Sequence, residues 1–310
     1  MAGLVGIDNA AAEYVTAPLE EIFARAFDDY VYDIAELSFS NYLFLTSIGN
    51  CPYIGLPVFP SRAFRHSAIF IRTDRNIRGP RDLVGRTIGV REFSMTAALV
   101  ARGVLEDDFG VRAAEVRWRY GPADAEDSDP IVRMKPRGID LEPLTGGSNL
   151  SDALRDGEID ALVAYKPPPA YLEGAPNVDR LFVDYEVIEA DYARRTGIFP
   201  IMHLLGIQRE IAERDPGLCL RVCDAFEVSR RYAVERTNES QAPFTSLPWA
   251  PSEIERSRQV LGDNFWTYGV DLNRPALEAL CRYSFAQGIS TRLVEVDELF
   301  VPATLGWAPG

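Results

Sequence analysis

At 310 residues the chain is long enough for one large domain or two lobes, and an apolar share of 47% with 25% charged residues is that of a globular protein. A net charge of −14 argues against nucleic acid or an anionic membrane as a partner, and no apolar run reaches the ~20 residues of a bilayer span. Of 32 basic residues only Lys135 and Lys166 are lysines, so an acidic chain that binds an acidic molecule must gather arginines locally.

The segment Met1-Ala2-Gly3-Leu4-Val5-Gly6 lacks a charged stretch followed by a long apolar one, which predicts a cytoplasmic protein. Thr16 and Pro18 predict a helix start, with Leu19, Ile22, Phe23, Ala26 and Phe27 forming one apolar stripe. A strand is expected near Tyr32–Leu37, followed by a helix capped by Ser38 and Ser40 and carrying Tyr42, Leu43 and Leu45. Ala68–Arg72 and Arg86–Val90 read as further strands. Ser94 reads as the N-cap of a helix running to about Leu105.

Residues 121–143 hold Pro, Gly and acidic residues and predict an exposed excursion, with Asp124, Glu126, Asp127 and Asp129 solvated. Ser151–Asp156 reads as a helix ended by Gly157, and Ile159–Tyr165 and His203–Ile207 as strands. The remainder to Glu298 is mostly helical, with Trp249, Trp266 and Tyr283 expected in packing interfaces. Cys51, Cys219, Cys223 and Cys281 have no histidine or further cysteine at zinc spacing, which predicts buried structural thiols and no metal site.

Alternating strands and helices predict an α/β fold with largely parallel sheets, whose ligands sit where helix N-termini meet strand ends. Ser38–Tyr42, Arg91–Thr96 and Tyr165-Lys166-Pro167 occupy such positions. The run Pro60-Ser61-Arg62-Ala63-Phe64-Arg65-His66-Ser67 sets two guanidinium groups and an imidazole beside a strand, chemistry suited to gripping a carboxylate and moving a proton. The second of the chain's two histidines, His203, lies in Phe199-Pro200-Ile201-Met202-His203, also at a strand, and the similar settings predict one shared site.

Several stretches together resemble the 4,5-dihydroxyphthalate decarboxylase family, in order from about residue 16 to the C-terminus. They are Pro57-Val58-Phe59-Pro60-Ser61-Arg62-Ala63-Phe64-Arg65-His66-Ser67, Arg86-Thr87-Ile88-Gly89-Val90, Met95-Thr96-Ala97, Asp156-Gly157-Glu158-Ile159-Asp160-Ala161-Leu162, Ile198-Phe199-Pro200-Ile201-Met202-His203 and Gly262-Asp263-Asn264-Phe265-Trp266-Thr267-Tyr268-Gly269. The resemblance implies a two-lobed type II periplasmic-binding-protein-like fold with two crossover strands and a ligand cleft between the lobes. Residues 1–73 and 204–310 would form one lobe, and 74–203 the other. Family members open with a further strand and helix before the segment matching residues 1–15, so either the start of this chain is trimmed or misassigned, or the first lobe is without them. Tyr165-Lys166-Pro167-Pro168-Pro169 departs from the family's threonine- and arginine-containing segment, which bears on the substrate more than on the reaction.

The implied reaction is cofactor-independent conversion of 4,5-dihydroxyphthalate to 3,4-dihydroxybenzoate and CO2 in phthalate degradation. Its partner would be a small aromatic carboxylate, with homo-oligomerisation left open. A ring hydroxyl para to the departing carboxylate supplies the electrons, and the protein supplies a proton donor and cationic clamps. His203 or His66 is expected to donate the proton, in an order the sequence leaves open. Arg62 and Arg65 are the expected clamps, Ser94 and Thr96 the helix start that holds a carboxylate, and Lys166 a further contact. Ser38, Ser40 and Tyr42 are weaker candidates, since helix capping explains the serines. The competing readings are a transporter's receptor for an aromatic acid, and a same-fold enzyme acting on another hydroxylated aromatic acid or in a naphthoquinone pathway.

Overall fold

The computed structural model describes residues 5–127, 134–145, 149–237 and 245–309. Helix α1 (Leu19–Ala24) continues as a π-turn over Arg25–Asp29 and leads to β1 (Ile34–Ser38), α2 (Phe39–Ser47) and β2 (Tyr53–Arg62). Then come β3 (Ile69–Arg72), β4 (Thr87–Val90), α3 (Thr96–Phe109), β5 (Arg117–Tyr120), β6 (Asp140–Pro143) and α4 (Leu150–Asp156). They are followed by β7 (Ala161–Val163), α5 (Pro169–Leu172), β8 (Val178–Arg180) and α6 (Tyr185–Thr196). The chain returns through β9 (Ile201–Gln208) and ends in α7 (Arg209–Arg214), α8 (Pro216–Thr237), α9 (Ala250–Leu261) and α10 (Arg274–Ala286).

Two sheets result, of order β1-β9-β2 and β6-β5-β4-β7-β3-β8. In the larger, β4 pairs in parallel with β5 and β7, and β5 with β6, as strand–helix alternation predicts. Both sheets depart from the expected parallel arrangement: in the larger, β3 runs antiparallel to β7 and β8, and the smaller has no parallel pair among the described residues. β1 and β2 are the parallel strands of a βαβ unit, but β9 inserts between them and runs antiparallel to both. A returning strand closes hydrogen bonds on both its sides this way, which its Leu204-Leu205-Gly206-Ile207 run, buried on both faces, requires. Gly55, facing Gly206 in that register, also lets Phe300 bridge in from the C-terminal segment, because a Cβ there would meet the Leu299 carbonyl.

Two further expectations change. The described parts of 121–143, residues 121–127 and 134–143, are not a solvated excursion: β6 extends the sheet, Asp124 is buried against Lys166 at 2.9 Å, and Asp127 holds Arg91 at 2.7 Å. Glu126 is exposed, and Asp129 lies outside the described residues. Trp249, expected in packing, is 74% exposed at the start of α9, while Trp266 and Tyr283 do pack inside. Asn149 caps α4 by accepting from Asp152 N at 3.0 Å, and Gly157 ends it at φ +86°, as its sequence suggests.

The two sheets are joined through α3. Its Arg102 guanidinium, buried, lies 3.6 Å from the Phe93 ring centre and donates to Phe93 O at 2.6 Å and to Gln287 Oε1 at 2.7 Å. Asp107, one and a half turns on, accepts from Arg282 Nη1 and Nη2 at 2.8 and 2.6 Å and from the Tyr283 hydroxyl at 2.6 Å. Between them Gly103 lies against the Tyr283 ring, with no room for a Cβ.

Gly103→Ala is expected to lower stability. Helix propensity alone would favour alanine by ~1 kcal/mol, but overpacking against a ring fixed by Asp107 costs about 1–3 kcal/mol. A urea midpoint equal to or above the wild type would refute this packing account.

Candidate active site

The site begins with the pairing of β9. In register, His203 faces Ser38 on β1 and Ser61 on β2, across an irregularity that shifts β2 between Leu56 and Ser61. Glu36 precedes Ser38 by two residues, so both side chains lie on the His203 face of the sheet. Glu36 Oε1 is 2.6 Å from His203 Nδ1. The Phe23 ring of α1 packs edge-on to the imidazole at 5.0 Å.

Two helix N-termini converge beside this row. Ser38 is the N-cap residue of α2, yet its hydroxyl does not cap: it lies 3.1 Å from Thr96 Oγ1, the first residue of α3. Ser40 N donates to the same Thr96 oxygen at 3.0 Å. The Ser40 hydroxyl and the Asn41 carbonyl oxygen are buried without a protein partner. Unfilled N–H groups and aligned dipoles at two helix starts favour an anion. Ser94, expected to be the N-cap of α3, is buried one residue before the observed N-cap, Met95.

A third part comes from the crossing segments. Arg65 Nε donates to Met202 Sδ at 3.2 Å and Nη1 to Tyr165 O at 3.5 Å, with no carboxylate in ion-pair reach among the described residues. Burial lowers its pKa to about 10, against the field of Glu189. Lys166 Nζ lies over the Tyr165 ring at 5.7 Å while paired to Asp124. Burial raises the Tyr165 phenol above its ordinary range, with Asp127 and Glu20 among the charges that act on it. Glu20 and Phe23 are three residues apart on α1 and so share a face. Phe23 thus sets α1 against the His203 site, with the charge of Glu20 acting towards Tyr165.

The structure leaves three candidates outside it. His66 is not beside His203: it sits 1% exposed between the Phe182 and Tyr192 rings, at 5.6 and 5.3 Å. Neither ring nitrogen has a hydrogen-bond partner, and Glu189 Oε1 stands 3.9 Å from Nδ1. Burial lowers its pKa to about 4, with Asp108 acting to raise it and Arg195 to lower it. Arg62 is turned inward, donating to Phe199 O at 2.9 Å, Thr267 O at 2.6 Å and Asn273 Oδ1. Tyr42 is fully buried, donating to Leu299 O at 2.5 Å and accepting from Gly55 N at 3.0 Å. Glu36, Phe23 and Tyr165 are the site residues that sequence reasoning passed over. A carboxylate in an otherwise apolar strand, two residues before a serine, was the available signal for Glu36.

No protein-family profile matches the chain. It is 38% identical over 304 residues to a 4,5-dihydroxyphthalate decarboxylase of Comamonas testosteroni, covering 98% of this chain and 92% of the relative. A Pseudomonas putida protein of the same name is 40% identical over 193 residues, 62% of this chain and 75% of the relative. Among solved structures, a putative periplasmic sulfonate-binding protein from Methylobacillus flagellatus superimposes with a TM-score of 0.54, covering 92% of this chain and 76% of that one. At 13% identity this likeness shows the fold alone, a type II periplasmic-binding-protein-like α/β architecture.

The buried His66 predicts acid sensitivity. Its folded pKa lies below its unfolded value of 6.5, so the unfolded chain binds the extra proton and stability falls as pH drops from 6.5 towards 4. Between pH 7 and 5 this one group should remove about 2 kcal/mol. His66→Leu should flatten that part of the urea-midpoint profile, and an unchanged slope would count against the assignment.

Proposed function

The chain belongs to the 4,5-dihydroxyphthalate decarboxylase family, and from that premise we infer that it is a carboxy-lyase converting 4,5-dihydroxyphthalate to 3,4-dihydroxybenzoate and CO2. One observation carries this reading: the 38% identity runs over 98% of the chain, through every strand of both sheets. The geometry supports it with an imidazole beside a pair of helix N-termini, and with an arginine at the crossing that has no carboxylate in reach among the described residues.

In this reading the α2 and α3 starts, with Ser38, Ser40, Ser94 and Thr96, hold one substrate carboxylate. Arg65, aided by Lys166 at the rim, grips the other. The hydroxyl para to the departing group is partly deprotonated, pushing electrons into the ring. His203 Nε2 then gives its proton to the carboxylate-bearing carbon, and the bond to CO2 breaks as its pair restores aromaticity. Each turnover takes one proton from water. The ring is the electron sink, so the chemistry calls for neither metal nor pyridoxal phosphate. His66, neutral at pH 7 by its burial, has no part in the proton transfer.

The test is CO2 release from 4,5-dihydroxyphthalate by the purified chain, with the product identified by mass. Formation of 3,4-dihydroxybenzoate is expected; thermal stabilisation by the compound without release would instead favour an aromatic-acid receptor. His203→Ala should cost roughly 10²-fold or more in turnover, whereas wild-type turnover would remove His203 from the proton step. Arg65→Met should raise KM well beyond its effect on kcat, and an unchanged KM would free Arg65 from the clamp. A strong chelator should leave activity intact, and loss restored by a divalent ion would overturn the cofactor-independent reading.

A further inference from the structure

We propose that Glu36 is a positioning residue that fixes the orientation and tautomer of His203, keeping Nδ1–H engaged so that Nε2 is the atom that delivers the proton into the cleft. As far as the reaction is concerned, this rests on the decarboxylase reading. The pairing itself does not.

The pair is built by strand register. Glu36 lies opposite Leu205 and Ser38 opposite His203, so carboxylate and imidazole emerge one step apart on the same sheet face. Their 2.6 Å separation is that of a charge-assisted hydrogen bond. An ionised carboxylate can only accept, which puts a proton on Nδ1 and leaves Nε2 as the second titrating site. The Phe23 ring at 5.0 Å limits rotation of the imidazole about its own bond. Both partners are sheltered, with side-chain exposures of 15% for His203 and 28% for Glu36. The carboxylate therefore acts through less water than a surface pair would.

The charged and titratable groups around the pair favour this role. From β1 comes Glu36 alone. The loop before α10 brings Tyr268, whose phenol burial pushes up to about 12, with Arg230, Glu227, Arg62 and Glu36 acting on it in turn. It stays neutral at working pH. Arg62 is committed to carbonyls and Asn273, and Arg230 to Glu227. Arg65 approaches through Met202, on the opposite sheet face from His203. From α1 comes Phe23, with Glu20 placed towards Tyr165. From α2 and α3 come Ser40 and Thr96, which are uncharged. Glu36 is thus the charge in direct contact with the imidazole. In the proposed step the Nε2–H bond breaks as the ring carbon gains its proton and CO2 leaves, and Nε2 is recharged from water. Glu36 keeps the Nδ1–H bond throughout and transfers nothing.

The chain's two histidines make the test direct. Ring 15N and 13C signals are followed against pH in the intact protein, with His203→Ala assigning which set is which. In the wild type, deprotonated His203 should be the Nδ1–H tautomer; an Nε2–H tautomer overturns the proposal without any change at Glu36. Glu36→Leu removes the acceptor at similar size, and His203 is expected to lose the Nδ1–H tautomer while the His66 signals stay in place. With the ring free to take the other tautomer, kcat should fall about tenfold with KM little changed. Glu36→Gln, which keeps an acceptor oxygen, should restore part of the Nδ1–H population and of the rate. An Nδ1–H tautomer that persists in Glu36→Leu would reduce Glu36 to a cross-strand contact. A tautomer that changes in a protein releasing no CO2 would sustain the pairing and sink the decarboxylase reading instead.

Discussion

The antiparallel insertion of β9 between β1 and β2 is the constraint on which the site depends. One strand satisfies backbone groups on both neighbours, buries Leu204, Leu205 and Ile207, and sets His203 between Ser38 and Ser61. Side chains alternate along a strand, so a slip by one residue would put the buried Met202 where the imidazole stands and turn His203 into the packed face. The same register carries Glu36 to the imidazole. Packing of the small sheet and placement of His203 are therefore one requirement.

The second theme is where an acidic chain keeps its positive charge. Arg62, Arg72 and Arg102 are buried, and much of their bonding goes to backbone carbonyls. A guanidinium with several fixed donors can cross-link loops in this way, and desolvation lowers the Arg62 pKa to about 9. These residues tie segments together. Under the proposed function the anion is left to the α2 and α3 starts and to Arg65, whose two bonds go to a thioether and a carbonyl.

The union of α3 with α10 gives the cleft a fixed frame. Arg102, Gly103 and Asp107 occupy successive positions along α3, and each is complemented by Gln287, Tyr283 or Arg282. Thr96, at the other end of the same helix, meets Ser38 and Ser40. The helix start that faces the cleft is thus held from behind by its own far end.

Five of the nine strands among the described residues, β1, β3, β4, β7 and β9, were legible from local apolar runs, while β2, β5, β6 and β8 were not, and Gly157 marked the end of α4. The family was legible too, from runs such as Ile198–His203, and relatives of that name extend along nearly the whole chain. What the sequence determined by itself was part of the set of elements, the α/β class and the serine, threonine and histidine residues at helix starts and strand ends, because those depend on neighbours a few positions away. Only the tertiary structure decided which of them meet. Arg62 and Arg65 lie three residues apart, yet one is locked inside and the other stands at the crossing. His66 and His203 have similar neighbours in sequence, but one falls among Phe182 and Tyr192 and the other beside Glu36, 167 residues away in the chain. Contact across such a separation is set by strand register and burial, which no local pattern encodes.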